Sequence, residues 1–510
     1  MQANAVLDRS ERAFAIAAGV AAIATLFYLL MANDFRMTYV SGIWTALAID
    51  LKDGIFYRPI ESDLGYGGTR YFPLHILLQS TLTRWTHDPF AAGHLIAAGS
   101  AVLMAIAVIR LLKGWGVPRS SALAAVALIF VGDTVMHAVT EIKGDLLPLT
   151  LALWAIVIVD GNERSRNTMW IFAGSLLALA MVTKPTSLMY TGAVCLHFLM
   201  QRQLRSAVVV AVTALAVSGG LLLLVNQLSG HAFGLNVAEF ANAGGGFATF
   251  ADGARNFLRY AYSPIDPALI VFLSAALVLV PTLRRERAPL LFCLFGVVFC
   301  GTVFVMGSPG TTKNHLIDVY VISVCVVLVG LYRSVPRLVP VGLGMASAVA
   351  VAGSVALVLH PIIGNARETA WSRQQVVAFL DREGAYRSPS HVLCFDPIID
   401  TKSGRSPYLL DSMMFRAYLS RHPDAESRFV NKIRAADFPF IVLSVSFDQI
   451  GRSDPDALAP QIGLDGAEAL AIRYELAMQS GIYLVYRVKT PGAQVGTVPV
   501  QSPVPRHSDF

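Results

Sequence analysis

Three short polar segments of this 510-residue chain each place a lysine beside groups that can hold or move charge. The segments are TEIKGD around Lys143, TKPT around Lys184 and GTTKNHLID around Lys313. The accompanying acids are Glu141, Asp145 and Asp318. Such lysines can bind a phosphate, and a nearby carboxylate can accept a proton or orient the lysine. The alternative for each lysine is that it only extends toward lipid headgroups.

The elements that must position these groups are membrane helices. Hydrophobic residues make up 55% of the chain and charged residues 15%, and the mean hydropathy is +0.57. Because roughly 20 apolar residues cross a bilayer, the pattern predicts about eleven spans. They lie near residues 13–31, 89–112, 120–138, 144–160, 168–183, 186–200, 206–228, 265–283, 288–307, 315–332 and 338–360. Both spans between 168 and 200 are short, and a single broken helix is the alternative there.

Lysine and arginine fall in alternate loops, beginning with Arg9 and Arg12 before the first span. This bias predicts a cytoplasmic N-terminus. The long loops 32–88 and 229–264 and all three polar segments then face outward. The net charge of +6 comes largely from the cytoplasmic loops, and no basic patch with interleaved aromatic residues indicates nucleic-acid binding.

The first outward loop contains further candidates for chemistry. Asp34 follows the first span directly, although a helix N-cap is an equally good interpretation of this residue. Residues 38–54 predict an amphipathic interfacial helix, and residues 71–85 predict a second interfacial helix or a short span. Arg70 and Tyr71 lie between them, at the end of a turn-rich segment.

Beyond the helices, residues 363–490 predict a small outward-facing α/β domain, after a transmembrane domain of residues 1–362. Strands are expected within SHVLCFD, DFPFIVLSVSF and GIYLVYRV, and helices near 371–383, 408–420 and 466–478. Residues 491–510 are expected to be disordered. The five cysteines form no disulfide framework, and neither a nucleotide-binding glycine motif nor a zinc-ligand spacing occurs. The acidic pair in DPD at 454–456 has a metal-like spacing, but its place in a turn before a short helix favours capping.

The order of five segments resembles the GT-C superfamily of integral-membrane glycosyltransferases, which includes the aminoarabinose and protein O-mannosyl transferases. The segments are NDFRMTYVSG, YGGTRYFPL, IKGDLLPL, VTKPTSL and GTTKNHLID. The resemblance covers most of residues 10–330. The sequence departs from the aminoarabinose and mannosyl branches, which carry an Asp-Glu pair where Asp34 and Phe35 stand.

This resemblance implies a bacterial inner-membrane enzyme that moves a sugar from a polyprenyl-phosphate carrier, without a cofactor, to an acceptor glycan, lipid or protein. An acceptor hydroxyl would displace the lipid phosphate directly, with inversion. Asp34 would be the base, and Asp145 a second catalytic acid that orients cations or binds sugar hydroxyls. The residues assigned to the sugar and the lipid phosphate are Arg70, Tyr71, Lys143, Lys184, Lys313, Asn314, His315 and Asp318.

Two other functions remain open at this stage. A lipid-linked sugar flippase or transporter would want ionisable groups near mid-bilayer, whereas here they gather at the outward helix ends. An O-antigen ligase or polymerase would use the same lipid chemistry on a different fold. A separate alternative for Asp318 alone is a structural role, either as an ion pair with Lys313 or in a buried hydrogen bond.

Overall fold

The computed structural model describes residues 37–161, 167–241, 250–262, 271–276, 289–308, 311–334, 360–386, 391–444 and 461–489. The predicted first span, Asp34 and most of the predicted span 338–360 therefore lie outside the described residues. The helical part contains α1 Tyr39–Lys52, α2 Pro73–Thr86, α3 Pro89–Gly114, α4 Arg119–Val131, α5 Asp133–Thr140, α6 Leu146–Asp160, α7 Asn167–Thr183, α8 Leu188–Met200, α9 Leu204–Leu228, α10 Ala232–Phe240, α11 Phe250–Ala261, α12 Pro289–Met306 and α13 Ile317–Ser334.

Among the described residues, three helices are long and apolar enough to cross a membrane: Pro89–Gly114, Leu204–Leu228 and Lys313–Arg333. Segments Arg119–Phe130 and Asp133–Thr140 form a fourth candidate, bent by 75°. The bend falls at Gly132, where a Cβ would come 2.7 Å from the Tyr320 ring. Shorter apolar helices occupy other predicted spans, so the described helices do not establish the predicted number of eleven.

The ambiguous pair between residues 168 and 200 is an antiparallel hairpin. Trp170 near the start of α7 packs on Phe198 near the end of α8, with ring centroids 4.9 Å apart. Lys184 lies at the turn between the two helices. Pro185 follows it, which favours the extended backbone of Lys184, at φ −150° and ψ 113°. The hairpin therefore excludes the single broken helix and presents Lys184 at its tip.

Helix α1 is buried on both faces, which differs from the interfacial helix that the sequence predicts. Ser41 and Thr45, on its polar face, are fully buried. The reason is that protein packs on both sides of the helix. Ser41 Oγ accepts from Ile142 N at 3.2 Å and Thr45 Oγ1 from Gln79 at 3.3 Å, while a Cβ at Gly42 would lie 2.6 Å from the backbone nitrogen of Ile398 in the C-terminal part. Hydropathy periodicity registers polarity but does not distinguish water from a packed partner.

Helix α2 reverses the usual polarity of an amphipathic helix. Its polar stripe of His75, Gln79 and Thr83 is buried, whereas Leu78 is 38% exposed. The Gln79 side-chain amide donates to Pro89 O at 2.9 Å and to Thr45 Oγ1 at 3.3 Å. A polar stripe that faces the protein fits a helix whose other side meets hydrocarbon rather than water.

The C-terminal part combines helices with a four-stranded sheet. Its elements are α14 His360–Arg382, β1 Leu393–Cys394, α15 Pro397–Lys402, α16 Ser412–Leu419, α17 Pro423–Ala435, β2 Phe440–Ser444, α18 Leu464–Arg473, β3 Tyr474–Ser480 and β4 Tyr483–Val488. The strand order is β1-β2-β4-β3, with β1 and β2 parallel and the other pairs antiparallel. The domain boundary at residue 363 stays a prediction.

The predicted helix over 466–478 is wrong in its second half. Helix α18 ends at Arg473, and β3 begins at the next residue and pairs with β4. A two-residue hairpin connection between Ser480 and Tyr483 makes this antiparallel pairing local, and strand pairing then overrides the helical preference of the segment. The sequence interpretation also omitted α15 and α17.

Candidate active site

The centre of the candidate site is a carboxylate held by two outward segments. Asp145, at the start of α6, is only 7% exposed. Its Oδ1 accepts from Lys184 Nζ at 2.7 Å, and both of its oxygens lie 3.2 Å from Asn314 Nδ2. Burial lowers the pKa of Lys184, but the Asp145 and Asp318 carboxylates raise it above its ordinary value overall. The ammonium therefore stays charged although it is buried.

A second set of charges continues from the segments that carry Asn314 and Asp145. Lys313, adjacent to Asn314, forms an ion pair with Asp133. His137 lies between two acids, with Nε2 3.2 Å from Asp133 and Nδ1 3.6 Å from Glu141. Glu141 in turn pairs with Lys143. We call these five residues together with Asp145, Lys184 and Asn314 the charged cluster.

Asp318 does not pair with Lys313, so the structural ion pair considered for it is wrong. Its Oδ1 accepts from the Tyr190 hydroxyl at 2.7 Å, and Lys184 lies within electrostatic range. Tyr190 is 1% exposed on α8, directly after the turn that carries Lys184. Asp318 is therefore a half-buried acid beside the charged cluster, and its hydrogen bond to Tyr190 fits the other structural role considered for it.

Arg70 and an aromatic group form the side of the site toward the first outward loop. Arg70 lies within electrostatic range of His315 and Tyr71. The Trp44 ring contacts those of Tyr71 and His75, with both centroid distances 4.7 Å. A Cβ at Gly144 would come 2.9 Å from Trp44, so the segment that carries Lys143 and Asp145 rests closely on this indole.

His75 is the most deeply buried ionisable group of this side. It is 0% exposed, and neither ring nitrogen has a hydrogen-bond partner in the described part of the chain. Burial lowers the pKa of His75 to about 4, although nearby Asp145 opposes the shift. The imidazole is therefore neutral near pH 7.

A network of buried arginines fastens the C-terminal part to the first outward loop. Arg58 is 2% exposed and makes two bonds of 2.7 Å to the Asp50 carboxylate. It also donates to Pro407 O at 2.7 Å and to the Ser406 hydroxyl. Directly beyond, Tyr66 N donates to Tyr408 O at 2.8 Å.

A second buried arginine reaches the start of the described chain. Arg373 of α14 donates to the Asp396 carboxylate and the Tyr483 hydroxyl, both at 2.8 Å. Its Nη1 donates to Met37 O at 2.6 Å. We call Asp50, Arg58, Arg373, Asp396 and Ser406 the anchor. Through it, the C-terminal part holds the chain three residues after Asp34.

The structure brings the predicted residues to one end of the helical bundle, except Asp34, which lies outside the described part. Gathered there are Arg70, Tyr71, Lys143, Asp145, Lys184, Lys313, Asn314, His315 and Asp318. Sequence reasoning missed Asp133, His137, Tyr190, Trp44 and His75. An acid after a glycine inside the predicted span 120–138 was an available signal for Asp133. The described residues hold no group of three His, Cys, Asp or Glu side chains that could bind a metal ion.

Comparisons with known proteins point in one direction. The family model of glycosyltransferase family 87 matches residues 70–309. ArnT from Cupriavidus metallidurans, solved with undecaprenyl phosphate, is similar with a TM-score of 0.61 at 12% identity, covering 92% of this chain and 97% of that one.

The oligosaccharyltransferase AglB from Archaeoglobus fulgidus, solved with an inhibitory peptide and a dolichol-phosphate, is similar with a TM-score of 0.52 at 13% identity, covering 93% of this chain and 75% of that one. The oligosaccharyltransferase from the same organism, solved with a tethered acceptor peptide, gives a TM-score of 0.54 at 12% identity, covering 89% and 72%. Comparison with curated protein sequences gave no match.

Proposed function

We propose that this chain, a membrane glycosyltransferase with a GT-C-type fold, transfers a sugar from a polyprenyl-phosphate carrier to an acceptor hydroxyl. The observation that carries the proposal is the charged cluster. It gathers Lys143, Lys184 and Lys313 from three separate segments around one end of the bundle. Apolar helices run away from this end, which suits a ligand with a phosphate head and a long hydrocarbon tail.

The similar structures support the lipid part of this proposal. ArnT was solved with undecaprenyl phosphate, and AglB with a dolichol-phosphate. Both are phosphorylated polyprenyl lipids held by proteins of this fold. The same lipid class is therefore our proposed carrier. The acceptor is a glycan, a lipid or a protein, and the proposal names no particular sugar.

The lysines of the charged cluster are suited to receive a phosphate. Lys184 has one described partner, Asp145, although an ammonium offers three donors. The side chains of Lys143, Lys184 and Lys313 remain 19%, 14% and 40% exposed. An entering phosphate can therefore bind the free donors while the carboxylates keep the lysines in place. Arg70 and His315 would contact the phosphate from the other side of the site.

The proposed reaction is a direct displacement at the anomeric carbon. The acceptor oxygen forms a bond to this carbon as its proton passes to a carboxylate base. The bond from the anomeric carbon to the phosphate oxygen breaks, and the polyprenyl phosphate leaves with the electron pair. The lysines stabilise the negative charge that develops on the leaving phosphate. We assign the base to Asp34, and to Asp145 the role of orienting Lys184 and Asn314.

The protein is embedded in the membrane, and we propose the bacterial inner membrane with the charged cluster on the extracytoplasmic side. The lysine and arginine distribution between loops supports this orientation. An alkaline phosphatase fused after Lys489 would then be active, and a cytoplasmic reporter at the same position inactive. The opposite result would place the cluster on the cytoplasmic side.

One assay separates a transferase from a flippase. Membranes that contain the protein are incubated with polyprenyl-phosphate sugars, and free polyprenyl phosphate is measured by mass spectrometry. A transferase releases this lipid in proportion to the glycosylated acceptor, because the phosphate is the leaving group. A flippase moves the donor across the bilayer and leaves it intact, so transport without lipid release would contradict the proposal.

A further inference from the structure

A polar cavity lies at the end of the bundle opposite to the charged cluster. Its volume is about 240 Å³, room for roughly eight waters at about 30 Å³ each. Helix α6 begins at Asp145 in the cluster and ends at Asp160 in the cavity wall, and its 15 residues span about 22 Å. The cavity is therefore separate from the candidate active site.

The helix ends around the cavity favour a positively charged ligand. The C-terminal ends of α3, α6, α8 and α13 contribute Gly114, Asp160, Phe198 and Arg333 to its wall. Among the described helices, α7, α9 and α12 contribute their N-terminal ends, and Gln203 is the N-cap of α9. Because the last carbonyls of a helix carry partial negative charge, four C-termini against three N-termini leave more carbonyl ends than amide ends in the wall, which favours a cation.

The side chains of the wall complement this field. The carboxylate of Asp160 lies in the wall, where its Oδ1 accepts from the Trp115 indole at 2.9 Å. Trp170 is a second indole of the wall. Carboxylates and indole faces are the groups that bind ammonium ions in proteins. His197 also lines the cavity; it is 7% exposed, and its Nδ1 has no hydrogen-bond partner among the described residues.

The outer part of the cavity has a different character. Arg333, in the last turn of α13, is exposed, and Gln201 and Gln203 lie nearby in the loop between α8 and α9. A guanidinium with neighbouring amides is suited to bind a phosphate. The cavity thus presents groups for an ammonium in its depth and groups for a phosphate at its mouth.

We infer that this cavity binds the head group of a membrane phospholipid that carries both a phosphate and a primary ammonium, from the leaflet opposite to the active site. The ammonium contacts Asp160, the helix-end carbonyls and the two indoles. The phosphate contacts Arg333. A primary ammonium is preferred over a quaternary one because the carboxylate and carbonyl oxygens need N–H donors.

The test measures lipid binding to the purified protein by native mass spectrometry. The probes are phosphatidylethanolamine, its mono-, di- and trimethylated forms, and phosphatidylglycerol, all with the same acyl chains. We expect phosphatidylethanolamine to bind about tenfold more tightly than phosphatidylglycerol, with affinity falling at each methylation. This series uses the wild-type protein and therefore does not depend on any variant folding.

Two variants assign the preference to the cavity. Asp160→Asn keeps an acceptor for Trp115 but removes the charge, and should bring phosphatidylethanolamine to within about twofold of the trimethylated lipid. Arg333→Gln should weaken both phospholipid classes alike. Arg119→Gln removes an exposed cation at the same end of the bundle outside the cavity, and should change nothing.

Three results would overturn the inference. One is equal binding of phosphatidylethanolamine and phosphatidylglycerol. A second is an unchanged preference in Asp160→Asn. The third is binding of soluble O-phosphoethanolamine as tight as that of the lipid, which would mean that the cavity takes a free metabolite.

Discussion

Buried charges occur at two places in this protein, and their surroundings differ. In the anchor, Arg58 is 2% exposed and bonds to Asp50, Leu64, Ser406 and Pro407. In the charged cluster, Lys143 and Lys313 each have a single described partner and remain partly exposed. The anchor uses nearly all its hydrogen-bonding capacity internally. The lysines of the charged cluster have donors without a described partner, as the proposed binding of a phosphate requires.

The largest effect should come from the proposed base. Asp34→Asn keeps the shape of the side chain but removes proton acceptance, so sugar transfer should fall by roughly 10²–10⁴-fold. Binding of undecaprenyl phosphate should persist, because the lysines are unchanged. Asp53→Asn, at an exposed acid just after α1, is the matched control. Wild-type turnover in Asp34→Asn would move the role to Asp145 or Glu141.

Breaking the anchor should reduce stability. Arg58→Met leaves the Asp50 carboxylate buried without its partner, which costs about 3–5 kcal/mol in comparable buried pairs. The double variant Arg58→Met with Asp50→Leu should cost less, because no charge is left unpaired. The measurement is thermal unfolding in detergent, and Arg428→Met is the control, since its pair with Glu61 is 54% and 29% exposed. Equal losses of stability in Arg58→Met and Arg428→Met would mean that the anchor stabilises the fold no more than an exposed ion pair does.

The lysines of the charged cluster should affect donor binding instead. Lys184→Gln and Lys313→Gln should each weaken binding of undecaprenyl phosphate by roughly 1.5–3 kcal/mol if each donates to the phosphate. Their combined effect should be non-additive, because they share one ligand. Lys52→Gln, at an exposed lysine at the end of α1, should leave the affinity unchanged. Affinities within about twofold of wild type in both single variants and the double variant would mean that neither lysine binds the phosphate.

A pH-dependent effect concerns an acid beside the anchor. Burial raises the pKa of Asp400 to about 7, with Asp396 raising it further and Tyr386 and Arg58 opposing the shift. The folded state therefore binds a proton more tightly than the unfolded state, whose Asp titrates near 4. This contribution to stability is complete below about pH 4 and is lost as pH rises through about 7, by at most about 1.4 kcal/mol per pH unit.

Asp400→Asn is permanently neutral and should remove this dependence. Relative to wild type, its unfolding temperature should rise as the pH goes from 5 to 7.5. A constant difference across that range would show that Asp400 does not titrate there.

The sequence allowed much of the site to be predicted, because a lysine or carboxylate in an apolar chain stands out. The GT-C resemblance is confirmed by the comparisons, and Lys143, Lys184 and Lys313 do converge. Which acid pairs with which lysine was not predictable from the sequence. Asp133 and His137 were hidden inside a predicted span, since the bend at Gly132 arises from close packing on Tyr320, a residue distant in sequence.

The C-terminal part shows more clearly which features cannot be predicted from the sequence. Strands β2 and β4 were visible in the sequence as buried apolar runs. Strand β3 was not, because most of its residues are only half-buried and its conformation depends on pairing with β4. Nothing local marks Arg373 as the residue that binds Met37 O, a contact between positions 336 residues apart. Side chains that join distant segments carry no periodic signal.

The link between Arg58 and Pro407 has a consequence for the synthesis of the protein. The two residues are 349 positions apart in the chain. At a ribosomal rate of roughly 5–20 residues per second, the first outward loop is made about 20–70 s before its partner. During that interval Asp50 and Arg58 lack the segment that buries them, and Asp411, which lies within electrostatic range of Arg70, has not yet been made. The surroundings of the candidate site are therefore complete only when the last part of the chain arrives, so a truncated or stalled product holds every lysine of the charged cluster but lacks the contacts of the C-terminal part.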